Sequence, residues 1–244
     1  MYLNACWNAP SNVHALTTTR VGGVSTGPYA GLNLGDHVDD LPEAVAHNRQ
    51  QLIADLGLPK APQWLQQVHG IDVVAAQADD QVRQADACWS DQSGQACIVM
   101  TADCLPVFFA DTAGSKVAVA HAGWRGLADG VLEATLRVFD DPTQVICWLG
   151  PAIGPDAFEV GGEVRQQFCE QLPASEQAFV AVPGKAAEDK WLADIYQLAR
   201  LRLQRAGVRE ITGGEACTFS DPERFYSYRR DGVTGRMASI IWLD

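Results

Sequence analysis

Four short runs of apolar and β-branched residues between positions 95 and 150 constrain the fold of this chain more than any other feature. They read QACIVM, PVFFAD, KVAVAHA and QVICWLG, and their length and composition predict buried strands. Amphipathic segments of helical period stand at 41–58, 126–139, 160–172 and 194–208. Because strands and helices alternate irregularly, we expect an α/β fold of the mixed α+β kind. It would be a single domain over residues 1–244, with mixed β-sheets flanked by helices.

The helical segments also carry signals for their ends. Gly57 and Gly207 follow the last apolar positions of the first and last segments and predict helix stops there. The segment 126–139 predicts one helix. Its apolar face would carry Leu127, Val131, Leu132, Thr135 and Val138.

Charge and motifs exclude several classes of partner and fold. Eighteen basic and thirty acidic residues give a net charge of −12, whereas nucleic acids and anionic membranes attract positive surfaces. No apolar run approaches the roughly 18 residues of a membrane helix, and the N-terminus does not read as a signal peptide. Seven cysteines without a pattern suit reduced thiols and a cytoplasmic protein. Neither G-x-G-x-x-G after a strand nor G-x-x-x-x-G-K-[ST] occurs, so we do not expect a doubly wound nucleotide fold.

Three residues at the ends of predicted strands or turns are candidate metal ligands or nucleophiles. His69 precedes Gly70 at a predicted turn, Cys104 follows IVMTAD, and His121 ends KVAVA. A catalytic zinc ion takes about three protein ligands, for which His and Cys are preferred. Their spacing is not that of a zinc finger, so a buried structural cysteine and packed histidines remain alternatives.

The other three histidines give weaker signals. His47 lies inside the predicted helix 41–58 and is typical of a surface or packing residue. His14 has a similar structural interpretation. His37, in NLGDHVDD, fits either a structural or a functional role.

Several segments of the chain, in their order, resemble a known family. They are TTTRVGGVSTGPYAGLNLGDHV, QQVHG, ADACWSDQ, TADCLPVFFAD, AHAGWRGLADGV, LGPAIGP, EVGGEV, CTF and FYSYRRDGVTGRMASIIWL. Together they resemble the YfiH-type family, labelled multicopper polyphenol oxidoreductase (laccase) and also described as a purine nucleoside phosphorylase and peptidoglycan editing factor family. The pair TADCLP and AHAGWRG is the most specific part. The resemblance spans nearly the whole chain and implies mixed sheets with flanking helices.

The resemblance implies a zinc ion held by His69, Cys104 and His121. Three ligands leave a fourth position open, which is typical of a catalytic rather than a structural zinc site. Many relatives place cysteines shortly after GPAIGP, where this chain has Asp156, Ala157 and Phe158. A multicopper oxidase needs several sites rich in His and Cys, and this chain has five histidines. Copper is therefore the disfavoured cofactor.

The implied reaction is phosphorolysis of adenosine and inosine, with methylthioadenosine as a further substrate, together with adenosine deamination. Zinc-activated water is a nucleophile for C6 of adenosine. The H-x-E…P-C-x-x-C signature of common zinc deaminases is missing, so acid and base would be arranged differently. Asp103 is the candidate proton carrier beside the catalytic residues His69, Cys104 and His121. A turn carboxylate bonded to backbone is the alternative for Asp103.

Phosphorolysis also needs a cationic clamp for phosphate, and guanidinium offers planar, bidentate contacts. The candidates are Arg20, Arg49 and Arg125, with Arg20 first because Gly22 and Gly23 let backbone approach an anion. A surface ion pair is the alternative for each arginine. Arg229 and Arg230 are further candidates, unless CTF…FYSYRR forms a structural hairpin. Trp124 is suited either to stack on a base or to seal a strand–helix junction.

Three other functions fit the same residues. Cys104 activated by His121 without metal would suit a hydrolase that edits peptidoglycan precursors. A zinc-stabilised binding protein without turnover and a copper-dependent polyphenol oxidase (laccase) are the others. The sequence carries no signal for an oligomeric state.

Overall fold

The computed structural model describes residues 1–184 and 188–244. In these ranges the strands are β1 Tyr2–Asn4, β2 Val13–Thr18, β3 Leu65–Gln66, β4 Val73–Ala75, β5 Arg83–Gln84, β6 Ala87–Ser90, β7 Cys97–Thr101, β8 Leu105–Asp111, β9 Val117–Ala122, β10 Val145–Leu149, β11 Glu159–Gly161, β12 Phe179–Ala181, β13 Lys190–Ala193, β14 Glu210–Gly213 and β15 Met237–Leu243. The α-helices are α1 Pro42–Leu56, α2 Trp124–Asp129, α3 Val131–Leu136, α4 Gly162–Gln171, α5 Ile195–Arg205 and α6 Tyr228–Asp231. Short 3₁₀ helices lie at Gly27–Tyr29, Pro142–Gln144 and Pro173–Ala178. No helix in the described part of the chain has both the length and the apolar character needed to cross a bilayer.

Two larger sheets form the centre of the protein. The six-stranded sheet has the order β14-β10-β8-β9-β6-β4. Its outer pairs β14–β10 and β6–β4 are parallel, and the pairs between them are antiparallel. The four-stranded sheet, β1-β2-β15-β7, is antiparallel throughout. Smaller sheets contain β11-β13-β12 and β3-β5. This confirms the predicted α/β fold with mixed sheets.

The two larger sheets pack face to face, and helices cover their outer faces. On strand β8, Phe108 and Ala110 join the core between the two sheets, while Val107 and Phe109 join the core beneath the helices. Helices α2, α3 and α5 contribute to the same core as Val107, and α1 packs on the outer face of the four-stranded sheet. Because central strands are buried on both faces, they appear in sequence as continuous apolar runs.

The structure corrects two predicted helices. The segment 126–139 forms α2 and α3 rather than one helix, because Gly130 adopts φ 105 between them. That left-handed conformation interrupts the helical backbone. Val138 lies beyond the end of α3 and packs partly buried against the core. In the segment 160–172 the first residues complete β11, and the helix begins only at Gly162.

Other local predictions are confirmed. Helix α1 ends at Gly57, which has φ 60, and α5 is followed by Gly207 with φ 103. The four apolar runs form β7, β8, β9 and β10. The segment CTF…FYSYRR is not a hairpin: it contains turns followed by the short helix α6.

One edge of the paired sheets collects the chain segments singled out in the sequence. Strand β7 ends at Thr101, whose partner Met237 begins β15. The chain then crosses to the other sheet, where Leu105 at the start of β8 pairs with Ala122 at the end of β9. Cys104 lies in this crossing and His121 lies near the end of β9. The pairing therefore brings two of the candidate ligands to one place.

Candidate metal centre and active site

His69, Cys104 and His121 form a compact cluster. Their potential ligand atoms all lie within 4.8 Å of one another, and no other such group of three occurs among residues 1–184 and 188–244. Cys104 Sγ is 3.8 Å from His69 Nε2. The two imidazole rings meet edge to face, with centroids 4.7 Å apart. Segments separated by up to 52 positions thus present one soft and two borderline donors to the same point.

The geometry of the cluster fits a tetrahedral zinc ion. Metal–sulfur and metal–nitrogen bonds of about 2.3 and 2.0 Å place sulfur and nitrogen about 3.5 Å apart in a tetrahedral site. The 3.8 Å separation of Cys104 Sγ and His69 Nε2 is close to this value. Gly123 leaves the space that the ligands occupy, since a Cβ there would lie 2.7 Å from His69 Cδ2. The donor set and its spacing therefore suit zinc with an open fourth position.

The buried carboxylate of Asp86 holds two of the three ligand residues in position. Its side chain is fully buried, and its Oδ1 lies 2.8 Å from His121 Nδ1. Its two oxygens also accept backbone N–H groups from Val68, His69 and Gly70, at 3.1, 3.0 and 2.7 Å. When Nδ1–H of His121 donates to the carboxylate, Nε2 is left as the ligand atom. One carboxylate thus orients a ligand ring and fixes the loop that carries another ligand.

The loop of His69 needs this support because its backbone is strained. His69 has φ 61, a left-handed conformation that residues with a side chain rarely adopt. Gln67 fastens the other side of the loop, since its side-chain amide donates to Met100 O and accepts from Met100 N. The loop is therefore attached to β7 and to Asp86 at once.

Asp103 supports the neighbouring loop. Its Oδ1 accepts a hydrogen bond from Thr218 Oγ1 at 2.6 Å, and its Oδ2 accepts from Ser227 Oγ at 3.0 Å. The backbone N–H of Arg229 also donates to Oδ2, at 2.7 Å. The carboxylate thus connects the Cys104 loop to the start of α6. These contacts suit a positioning residue, and the role of proton carrier stays a prediction.

Electrostatics within the cluster favour charged ligands when no metal is bound. Burial raises the pKa of the Cys104 thiol, but the imidazoles of His121 and His69 outweigh burial and bring it below its ordinary value. Burial lowers the pKa of His121, yet Cys104 and Asp86 together raise it above its ordinary value. Burial also opposes ionisation of Asp86, whereas His121 and the backbone N–H groups lower its pKa. The arrangement therefore stabilises a thiolate at Cys104.

Two cavities adjoin the cluster and share His69, Ala102, Cys104, Arg125 and Tyr228. The first, which we call the apolar cavity, has a volume of about 230 Å³. Its other walls are Asp103, Trp124, Ile153, Phe158, Ile195 and Arg229. The second has a volume of about 460 Å³, and we call it the polar cavity because more polar and charged side chains line it than line the first. Its other walls are His37, Gln67, Met100, Thr101, His121 and Arg236. The metal cluster stands where the two cavities meet.

The three candidate arginines lie in different environments. Arg125 lines both cavities, and its guanidinium lies 4.4 Å from the centre of the Trp124 ring. Arg49 forms an ion pair with Asp36 at 3.1 Å. Arg20 donates to two carbonyl oxygens, of Pro222 and Ala30. Neither Arg49 nor Arg20 is among the residues that line the two cavities.

The further candidates for phosphate or base binding also lie in different places. Arg229 lines the apolar cavity and donates to Glu159 O, whereas Arg230 pairs with Asp231. Trp124 begins α2 at the strand–helix junction and also lines the apolar cavity. Stacking on a base therefore stays a prediction.

The histidines outside the cluster do not gather at a second centre. His14 stacks on Trp242 and lies 2.6 Å from Asp244. His47 is exposed on α1. His37 lies on the wall of the polar cavity.

Sequence reasoning missed Asp86, Gln67 and Arg236. All three lie inside the quoted segments ADACWSDQ, QQVHG and FYSYRRDGVTGRMASIIWL. Asp86 is an acidic residue directly before a buried strand, and Arg236 directly precedes the apolar strand β15. A charged residue at the end of a buried strand is the signal that could have pointed to both.

We expect Gly123→Ala to weaken zinc binding with little effect on the metal-free fold. The new Cβ would lie 2.7 Å from His69 Cδ2 and 3.1 Å from Cys104 Sγ, so both ligands must move. Overpacking of this kind costs about 1–3 kcal/mol. The cost falls on the zinc-bound state, because the exposed His69 side chain can move aside when no metal holds it. Gly123 has φ −60, which excludes backbone strain as a cause. Competition with a chelating dye measures the zinc affinity.

Gly70→Ala is the matched control for Gly123→Ala. Its Cβ would lie at ordinary contact distances, 3.5 Å from Asp86 Oδ2 and 3.6 Å from Val68 Cγ2. Equal zinc affinity in both variants would contradict the crowding argument.

Comparison with known proteins defines the class. The family model described as multi-copper polyphenol oxidoreductase laccase matches residues 14–244. The chain belongs to this family, the YfiH-type family.

Individual relatives are similar over nearly their full length. The chain is 53% identical over 239 residues to the purine nucleoside phosphorylase YfiH of Escherichia coli, covering 97% of this chain and 96% of that protein. It is 54% identical over 246 residues to a purine nucleoside phosphorylase of Pseudomonas aeruginosa, covering 100% and 98%. A crystal structure of a Neisseria meningitidis protein superposes with a TM-score of 0.95 at 51% identity, covering 100% and 99%. YlmD from Geobacillus stearothermophilus superposes with a TM-score of 0.89 at 32% identity, covering 96% and 92%.

Proposed function

We propose that this chain is a zinc-dependent purine nucleoside enzyme that phosphorolyses adenosine and inosine, and methylthioadenosine as well, and that it also deaminates adenosine. The observation that carries the proposal is the His69–Cys104–His121 cluster at the junction of an apolar and a polar cavity. A nucleoside has a matching division, because the two faces of its flat base are apolar and its ribose is polar. Relatives named purine nucleoside phosphorylase support the reaction class.

The side chains around the cluster have separate tasks. Trp124 and Phe158 offer apolar surfaces for a purine ring. When bound, zinc would supply Lewis acidity at the open fourth position. His69, Cys104 and His121 would hold it, and Asp86 keeps the His121 ring in the orientation that ligation needs.

The two reactions differ in the nucleophile. In phosphorolysis, a phosphate oxygen forms a bond to C1′ of the ribose while the C1′–N9 bond breaks. The electron pair stays on N9 of the departing purine, which takes a proton. In deamination, water adds at C6 and ammonia leaves. Arg125, which lines both cavities, is placed to stabilise charge on either substrate.

The test is an assay of purified zinc-loaded protein with adenosine and inosine, with and without phosphate, read by chromatography. We expect hypoxanthine and ribose 1-phosphate from inosine only when phosphate is present, and inosine from adenosine without phosphate. Chelation should stop both reactions and zinc should restore them. Absence of any base release in the presence of phosphate would overturn the proposal.

Copper is not expected to support this activity. Outside the cluster, His14, His37 and His47 lie in three different environments, whereas a multicopper centre needs several adjacent ligands. Copper-free, zinc-loaded protein should turn over nucleosides at the full rate, with its metal content measured by mass spectrometry. Turnover that requires added copper would restore the laccase interpretation.

A second candidate function rests on the metal-free state of the cluster. The lowered pKa of Cys104 beside His121 is typical of a nucleophilic cysteine, as in a hydrolase that edits peptidoglycan precursors. Such an enzyme would keep its activity in chelator and lose it with iodoacetamide. The cytoplasmic location stays a prediction.

A further inference from the structure

The polar cavity contains a buried hydroxyl without a partner. Thr101 is only 1% exposed and lines this cavity at the end of β7. Its Oγ1 has no hydrogen-bond partner in the described part of the chain. The great majority of buried polar side-chain atoms are hydrogen-bonded, because an unpaired buried group is costly. A ligand in the cavity would supply the missing partner.

The same cavity contains a partly buried cation without a carboxylate partner. Arg236 donates from Nη1 to the carbonyl oxygens of Thr234 and Gly235. Across residues 1–184 and 188–244 the guanidinium forms no ion pair within 4.0 Å. Gly35 makes room for its stem, since a Cβ there would lie 2.7 Å from Arg236 Cγ. Burial lowers the pKa of Arg236, whereas the charges of Cys104 and Asp103 raise it without forming an ion pair with the guanidinium. An anion in the cavity would add the direct contact that these two groups do not supply.

Some other arginines of the protein do form ion pairs with carboxylates, unlike Arg236. Arg49 on α1 has Asp36 as its counter-ion at 3.1 Å. Arg202 has Glu133 at 2.9 Å. Arg125 is exposed and lines both cavities, which places it at their mouth. In the described ranges its guanidinium contacts the Trp124 ring and forms no ion pair or side-chain hydrogen bond. Two guanidinium groups that form no ion pair in the described ranges therefore line one cavity, which also holds the unpaired hydroxyl.

We propose that the polar cavity is an oxyanion subsite that takes inorganic phosphate as the co-substrate, beside a nucleoside whose base occupies the apolar cavity. Arg236 and Thr101 donate to phosphate oxygens from the wall, and Arg125 donates from the mouth. Guanidinium and hydroxyl donors are the groups that recognise tetrahedral oxyanions. Two cavities that share one edge would bring the anion and the nucleoside together at the metal cluster. The identity of the ligand as a co-substrate rests on the proposed function, whereas the anion site itself does not.

Direct binding tests the subsite without turnover. Zinc-loaded protein is titrated with inorganic phosphate in a calorimeter, and zinc content is measured for every variant. Arg236→Gln should raise the Kd for phosphate about ten- to a hundredfold, as expected for loss of a charge-assisted contact. Thr101→Val, which keeps the shape of the side chain, should raise it about three- to tenfold. Arg236→Lys should fall between Arg236→Gln and the unchanged protein.

The control is Arg209→Gln, which removes the same charge from an exposed position outside both cavities. It should leave the Kd for phosphate unchanged. If Arg236→Gln and Thr101→Val bind phosphate as tightly as this control, the subsite is wrong. If Arg20→Ala loses phosphate while Arg236→Gln keeps it, the anion site belongs to Arg20 instead.

The outcomes separate the subsite from the proposed function. Phosphate binding that depends on Arg236, in a protein that releases no base from inosine, upholds the subsite and overturns the function. Phosphorolysis by a protein whose phosphate affinity does not depend on Arg236 upholds the function and overturns the subsite. No measurable phosphate binding overturns the subsite.

A further titration distinguishes free phosphate from the phosphate of a nucleotide. A nucleoside with a carbon–carbon glycosidic bond, which resists cleavage, is added at saturation before phosphate. Simultaneous binding of both ligands supports a co-substrate site. Exclusion of phosphate by this nucleoside, together with tight binding of inosine 5′-monophosphate, would assign the cavity to a nucleotide and overturn the co-substrate proposal.

Discussion

Alanine variants of His69, Cys104 and His121 are each expected to lose stoichiometric zinc and nearly all nucleoside activity. Each of the three residues offers one ligand atom, and a zinc site needs at least three protein ligands. The two residues that remain in each variant therefore cannot hold the ion stoichiometrically. Loss of Lewis acidity removes several kcal/mol of transition-state stabilisation, or about a thousandfold or more in rate. Metal analysis and the inosine assay measure the two effects.

The three variants should differ in stability. His69 is exposed, so its removal should change the free energy of unfolding by less than about 0.5 kcal/mol. His121 is 3% exposed and bonded to Asp86 at 2.8 Å, so its removal should cost about 1.5–3 kcal/mol. Cys6→Ser, at an exposed cysteine, is the control for thiol loss. Stoichiometric zinc in all three alanine variants would refute the site.

Asp86→Asn is expected to weaken both zinc binding and the fold. Oδ1 accepts from His69 N and lies against His121 Nδ1, whereas Oδ2 accepts from Val68 N and Gly70 N. An amide has one oxygen, so in either orientation its NH₂ group faces two donors. Two unsatisfied buried donors cost about 2–6 kcal/mol in total. Misorientation of His121 should lower zinc affinity about 10- to 100-fold.

The measurements are denaturant unfolding of the metal-free protein and zinc affinity by dye competition. Asp91→Asn is the control, because Asp91 is exposed at the end of the same strand segment. Unfolding free energy and zinc affinity that both match the control would show that Asp86 does not organise the cluster.

The folding pattern could be predicted wherever local chemistry decides it. Continuous apolar runs predicted β7 to β10, since strands covered on both faces need no polar side. Gly57 and Gly207 predicted helix ends because glycine tolerates the left-handed backbone. Gly130 has the same property, yet the helical period around it hid the break. The spacing of apolar residues reports which face of a helix is buried. It does not register one glycine that interrupts the helix between two such residues.

The ligand residues could be named from sequence motifs, whereas the residues that surround them could not. The motifs around His69, Cys104 and His121, read through a resemblance, named three residues that lie together in the structure. The sequence by itself could not relate Asp86 to His121, because their contact depends on a strand pairing across 35 positions. Nor could it rank Arg20 against Arg236, because both are arginines beside glycines. The tertiary structure places Arg236 on the wall of the polar cavity and Arg20 outside both cavities. Which side chains line a cavity depends on how distant chain segments pack and not on neighbours in sequence.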